Sequence, residues 1–226
     1  MCIVCKWNSG EEKIDLNIEK LYCNNCTALT SIPVLPNLKE LHCCGCKVLT
    51  EIPVMPELKV LDCTHCIALT SIPVMTKLVR LYCTGCASLT SIPQLPKLEV
   101  LDCERCTSLT SIPNLSELVL LYCSWCTSLT TIPVLPKLNM LSCNYCTSLT
   151  VPKMPMLKEL RCNGCSWIKE CIAYDKNILA LRSCQAIAKR KLTARKLEKP
   201  LPAIIEIYYS PGCKGEYLAE QKFFVT

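Results

Sequence analysis

Cysteines come in this chain as pairs two residues apart, and the pairs recur every twenty residues. Their first members are Cys23, Cys43, Cys63, Cys83, Cys103, Cys123 and Cys143, and an eighth pair opens one residue early at Cys162. The early arrival has a visible cause, since "LTVPKMP" is one residue shorter than "LTTIPVLP". Self-similarity at this period marks a solenoid, because one short coil cannot bury its apolar edge alone and must stack on a copy of itself.

Numbered from Leu38, the repeat reads L-x-x-L-x-C-x-x-C-x-x-L-T-x-I-P-x-L-P-x. Position four is leucine throughout, from Leu21 and Leu41 to Leu160. Position twelve is leucine from Leu29 to Leu149 and then Ile168, and position fifteen is isoleucine from Ile32 to Ile132 and then Val151. Side chains alternate along an extended segment, so positions four and six share a face. Leu41 and Cys43 then point inward while Glu40 and His42 point out. The chain must turn after this strand, which brings position nine, the second cysteine, back inside. The "IPxLP" that follows cannot be helix, because proline fixes φ, removes a donor and drives the preceding residue toward extended geometry. Each repeat is therefore a strand, a turn and an extended, polyproline-like return.

Two CxxC pairs separated by sixteen residues, such as Cys43/Cys46 and Cys63/Cys66, also fit a four-thiolate zinc ribbon. Stacked rungs, however, space equivalent sulfurs at about 4.8 Å, whereas tetrahedral zinc with bonds of about 2.3 Å wants them near 3.8 Å. Reduced cysteine packs as a small hydrophobe. The start, "MCIVCKWNSGEEKIDL", lacks the basic and apolar regions of a secretory signal, and no stretch approaches a membrane span. A cytoplasmic, reducing setting follows as the expectation, and with it thiols rather than disulfides. The pairs are read as core, with no metal and no cofactor assigned; zinc binding by the CxxC ladder is the alternative. Cys44 lies off the inward set and is expected to be an exposed, reactive thiol.

Residues 18 to about 170 resemble the short twenty-residue class of leucine-rich repeats. The phrase "LTSIPxLPxLxxL" is similar to the repeats of bacterial effector ubiquitin ligases, although cysteine stands here where those repeats have an aliphatic residue and asparagine. Runs such as "CTSLTSIP", with the closing "YYSPGCKGE" at Tyr208 to Glu216, more closely resemble cysteine-bearing repeat proteins of giant nucleocytoplasmic DNA viruses. The resemblance implies a leucine-rich repeat solenoid with a parallel β-sheet on one face, and a viral protein working in host cytoplasm. The stretch after residue 170 is too short for the ligases' catalytic domain, so that activity is not carried over.

The architecture expected from these readings has four parts. Residues 1–17, with "CIVCKW" and "KIDLNI" around an "NSG" turn, form a β-hairpin cap over the first rung. Residues 18–170 form eight repeats. Residues 171–200 form a basic helix that caps the last rung, with apolar residues at helical spacing and with Arg182, Lys189, Arg190, Lys191, Arg195 and Lys196 on its polar side. Residues 201–226 read as strand, turn and helix. The segment 175–200 carries eight Lys and Arg against two Asp and Glu, which matches the whole net charge of +6. Attraction to nucleic acid or to an acidic partner therefore belongs to that segment.

Function falls on what the repeats vary. Outward positions three, five and eight place Tyr82, Val100, Asp102, Arg105, Leu120, Tyr122, Trp125, Met140 and Tyr145 on one face of the later rungs. Aromatics, Met and Arg are the residues enriched where proteins bind one another. No catalytic residue is assigned: Asp62 and Asp102 sit two rungs apart on an open sheet that cannot exclude water, and neither a nucleophile triad nor a phosphate loop is present. The expected function is that of a non-enzymatic, monomeric scaffold binding a protein partner through its strand face. The alternatives are zinc binding and docking of nucleic acid or an acidic partner by the basic helix.

Overall fold

The computed structural model describes residues 2–11, 13, 15–152 and 154–165. These form a parallel β-solenoid whose single sheet contains eight short strands in chain order. They are β1 (Lys20–Tyr22), β2 (Glu40–His42), β3 (Val60–Asp62), β4 (Arg80–Tyr82), β5 (Val100–Asp102), β6 (Leu120–Tyr122), β7 (Met140–Ser142) and β8 (Glu159–Arg161). Neighbours pair in parallel with a shift of one repeat, so Leu41 faces Leu61 and Leu61 faces Leu81. The residue missing from the eighth repeat does not disturb this register, because Leu141 still faces Leu160. The return absorbs the deletion.

Seven residues of each rung point inward, at positions one, four, six, nine, twelve, fifteen and eighteen. From Leu38 to Leu149 none of them exceeds 4% exposure. The spacing of two belongs to the strand, three of the spacings of three span turns, and those of the return follow its extended, polyproline-like period of three. In the second rung, Cys46, Leu49 and Leu58 each donate a backbone N–H to the carbonyl three residues earlier, at 3.3, 3.2 and 3.2 Å. Pro56 sits second in the last of these turns, where its fixed φ is already that of the turn. Proline also suits the return because most of it has no ladder in which a missing N–H would be felt. Only in the later rungs does a second parallel ladder begin there, as Thr130 N–H meets Thr110 O at 3.2 Å and Thr150 N–H meets Thr130 O at 2.9 Å.

The N-terminal cap differs from the hairpin expected over residues 1–17. It contains a short helix, α1 (Ile3–Asn8), that lays Val4 and Cys5 on the first rung. The "NSG" signal is real but serves a different motif. Gly10 has φ +79°, its N–H bonds Trp7 O at 3.0 Å, and Glu11 N–H bonds Lys6 O at 2.8 Å. That pair of bonds is a Schellman motif, in which a left-handed glycine closes a helix. A helix satisfies its own backbone, whereas a hairpin placed across the rung would leave edge groups without partners.

The basic helix expected over 171–200, with Arg182, Lys189, Arg190, Lys191, Arg195 and Lys196, lies outside the described residues, as do Ile168 and the segment 201–226. Among the described residues no helix is long and apolar enough to cross a membrane.

Candidate functional site

The buried sulfurs come first, because their environment decides what they can do. From the second rung on, each position-nine thiol donates to the backbone carbonyl of the position-six cysteine one rung earlier. Cys66 Sγ reaches Cys43 O at 3.1 Å, Cys86 reaches Cys63 at 3.1 Å, Cys106 reaches Cys83 at 3.1 Å and Cys126 reaches Cys103 at 3.0 Å. The second cysteine is thus a hydrogen-bonded spacer that ties rung to rung, and the first is packing. The thiol of the following rung together with burial holds Cys43, Cys63, Cys83, Cys103, Cys123 and Cys143 far above the ordinary thiol range. Such sulfurs are protonated and out of reach of solvent.

Cys44 departs from the exposed, reactive thiol read in the sequence. It is half-buried, and burial followed by the Asp62 carboxylate raises its pKa, which makes it a poorer nucleophile at neutral pH.

Six of the nine outward residues fall in two register rows of the sheet. Val100, Leu120 and Met140 are consecutive register partners on β5, β6 and β7. Tyr82, Asp102 and Tyr122 are partners on the neighbouring position-five row. Val100, Leu120, Tyr122 and Met140 are half-buried against one another, and the Tyr122 hydroxyl points at Met140 Sδ from 3.5 Å. Asp102 serves a different purpose from its neighbours. Its Oδ1 accepts the Thr84 hydroxyl at 2.6 Å and the Glu104 N–H at 3.2 Å, so the carboxylate caps the turn after its own strand. Asp62 does the same for Thr64 N–H at 3.1 Å. These bonds give both carboxylates a structural reason to stand on an open sheet.

Position eight follows a conformational rule. In all eight rungs it is left-handed: Asn25, Gly45, His65, Gly85, Arg105, Trp125, Tyr145 and Gly164 have φ between 56° and 72°. Each large residue leans over the next rung. A Cβ at Gly85 would come 2.3 Å from His65 Nδ1, and one at Gly164 would come 2.6 Å from Tyr145 Cδ1. Glycine is therefore required there twice over, for conformation and for room. Arg105, Trp125 and Tyr145 occupy three successive left-handed sites without it, at a cost of order 1 kcal/mol or more each. The Trp125 and Tyr145 rings stack with centroids 4.2 Å apart and 23° between their planes, yet Trp125 remains 46% exposed.

The earlier half of the same face is ionic. Lys20 pairs with Glu40 at 2.9 Å, and His42 lies 3.8 Å from both Glu40 and Asp62. Tyr22 stacks on His42 at 4.8 Å. The Lys20 ammonium draws the Glu40 carboxyl below its usual range. The two halves therefore differ in kind, with an ion pair in the earlier rungs and aromatic and aliphatic side chains in the later ones, although Tyr22 is also exposed at the first rung. On the return side, Val34, Val54, Val74 and Val134 are also exposed, but Gln94 and Asn114 interrupt that row.

A separate cluster, not anticipated from the sequence, lies at the N-terminal end. The sulfurs of Cys2, Cys5 and Cys26 all lie within 4.8 Å of one another, and Cys5 and Cys26 are 3.1 Å apart. Burial, then the Cys26 and Cys2 thiols, push Cys5 up to about 12. Burial would raise Cys26 too, but the N–H groups of Cys2 and Ala28 and the Cys5 thiol outweigh it and bring Cys26 down to about 7.

No known family model matches the chain, and no curated protein is significantly similar to it.

Proposed function

We propose that the solenoid is a non-enzymatic scaffold of the leucine-rich-repeat type that binds a protein partner through the C-terminal half of its strand face. The observation that carries this reading is the run of Arg105, Trp125 and Tyr145 at left-handed positions. Gly45, Gly85 and Gly164 solve the same turn more cheaply, and Asn25 and His65 depart from glycine only singly, whereas here three large residues do so in succession; strain of this kind concentrates at functional sites. Val100, Leu120, Tyr122 and Met140 lie beside that run, and an apolar patch rimmed by polar residues suits a partner. Tyr82 and the Asp102 turn border it on the N-terminal side. The viral character rests on the "CTSLTSIP" and "YYSPGCKGE" phrases, which also make host cytoplasm the compartment to search.

The test is affinity capture with the intact chain and with a Leu120→Ala/Trp125→Ala variant, each checked by circular dichroism for native structure. The reading expects a partner held directly by the wild type, lost from the variant, and retained by a Val54→Ser control on the return side. A partner that survives the double substitution, or that leaves with Val54→Ser, overturns it.

A further inference from the structure

We propose that the N-terminal cap is a metal site in which Cys2, Cys5 and Cys26 hold one thiophilic divalent cation of the zinc class.

The argument begins with what the first rung lacks. From the second rung on, every position-nine thiol is committed to a carbonyl one rung back, as in Cys46 Sγ to Cys23 O at 3.0 Å. Cys26 is the position-nine thiol of the first rung, and no rung precedes it. Helix α1 occupies that place instead and presents Cys5, with sulfurs 3.1 Å apart, while Cys2 completes a triangle with all three sulfurs within 4.8 Å of one another. Zinc–thiolate bonds of about 2.3 Å in a tetrahedron set sulfur separations near 3.8 Å, which lies between the 3.1 Å of Cys5 and Cys26 and the 4.8 Å limit of the triangle. Among the described residues no other three Cys, His, Asp or Glu ligand atoms converge in this way. The ladder shares the CxxC spacing but directs its position-nine sulfurs at carbonyls; the cap directs Cys5 and Cys26 at one another.

The sequence spacing agrees. Cys2-x2-Cys5 and Cys23-x2-Cys26 are separated by seventeen residues, within the range of four-thiolate sites. Cys23 is buried in the same rung, but its Sγ is directed at His42 O at 3.6 Å, so water completes the tetrahedron through the half-exposed Cys2 side. Each thiol that binds releases its proton to solvent. The ion would cross-link the cap to the first rung, at the end of the stack where a solenoid has fewest contacts.

The experiment uses the full chain without an N-terminal tag, purified with no added metal. Elemental analysis is expected to give one zinc per chain. After chelation, cobalt(II) should saturate a thiolate-to-metal charge-transfer band at one equivalent, and X-ray absorption should count three sulfurs at about 2.3 Å. Cys2→Ser/Cys5→Ser should weaken cobalt binding at least 100-fold, while Cys63→Ser leaves it unchanged. A wild-type chain that takes up no cobalt, a shell of oxygen and nitrogen only, or several ions per chain retained by the double variant would each overturn the site. The wild-type titration and absorption decide the matter even if the variants fold poorly.

Discussion

Raising the pH tests the buried thiols as a group. Cys43, Cys63, Cys83, Cys103, Cys123 and Cys143 are fully buried and hold their protons far above the ordinary value of 9.0. In the unfolded chain the same thiols ionise near that value. Their contribution to stability is therefore fully present below about pH 9 and is lost as pH rises above it, because the unfolded state then binds fewer protons than the native one. Each such thiol removes about 1.4 kcal/mol per pH unit. Six of them remove about 8 kcal/mol over each pH unit above that value, comparable to the whole stability of an ordinary domain. Urea unfolding followed by circular dichroism from about pH 7 upward should show a flat region and then a steep fall. Thiolate absorbance equivalent to these six thiols should appear together with unfolding, above what Cys26, brought down to about 7, contributes before it. Cys63→Val/Cys83→Val should shrink the slope by about a third. A stability that stays flat past about pH 10, or absorbance of these six thiolates that rises while the native signal persists, refutes the reasoning.

Substitutions at Cys106, Cys103 and Gly85 probe single links in the structure. At position nine, Cys106→Ala removes a buried sulfur and its bond to Cys83 O but leaves that carbonyl the Cys86 N–H at 3.1 Å, so a loss of about 2 kcal/mol is expected in urea unfolding. Cys106→Ser should cost less than alanine because it keeps a donor, whereas at position six Cys103→Ser should cost more than Cys103→Ala because its hydroxyl enters apolar packing; the same ranking at both positions would contradict the roles given to them. Gly85→Ala meets both a left-handed φ of +71° and the His65 ring, so thermal unfolding should register a loss of at least about 1 kcal/mol, with only the steric part recovered in His65→Ala/Gly85→Ala.

The twenty-residue period was the legible part, and it carried the inward set with it. Leucine at positions one, four and twelve, isoleucine at fifteen and cysteine at six and nine can share a side only if strand and corners alternate as the structure shows. The outward patch was legible for the same reason, since period two assigns Val100, Leu120 and Met140 to one row. Contacts between rungs could not be read in this way. That Cys106 donates to Cys83 O, or that Asp102 is engaged by Thr84, depends on which atoms meet across the stack. Position eight was hidden because Asn, Gly, His, Arg, Trp and Tyr all occur there, so no residue type announces the left-handed turn. "NSG" misled because a hairpin turn and a Schellman cap ask for the same residues. The Cys2, Cys5 and Cys26 cluster was missed because it depends on α1 replacing that hairpin.

The central claim is that the ladder sulfurs are packing and that the outer face is left to do the work. Alkylation of the native chain with iodoacetamide, read by mass spectrometry on peptides spanning residues 43–146, tests it most directly. The account predicts slow modification at Cys44 alone, with Cys43, Cys46 and the five later pairs labelled only after denaturation. Prompt labelling of those pairs in folded protein would contradict it.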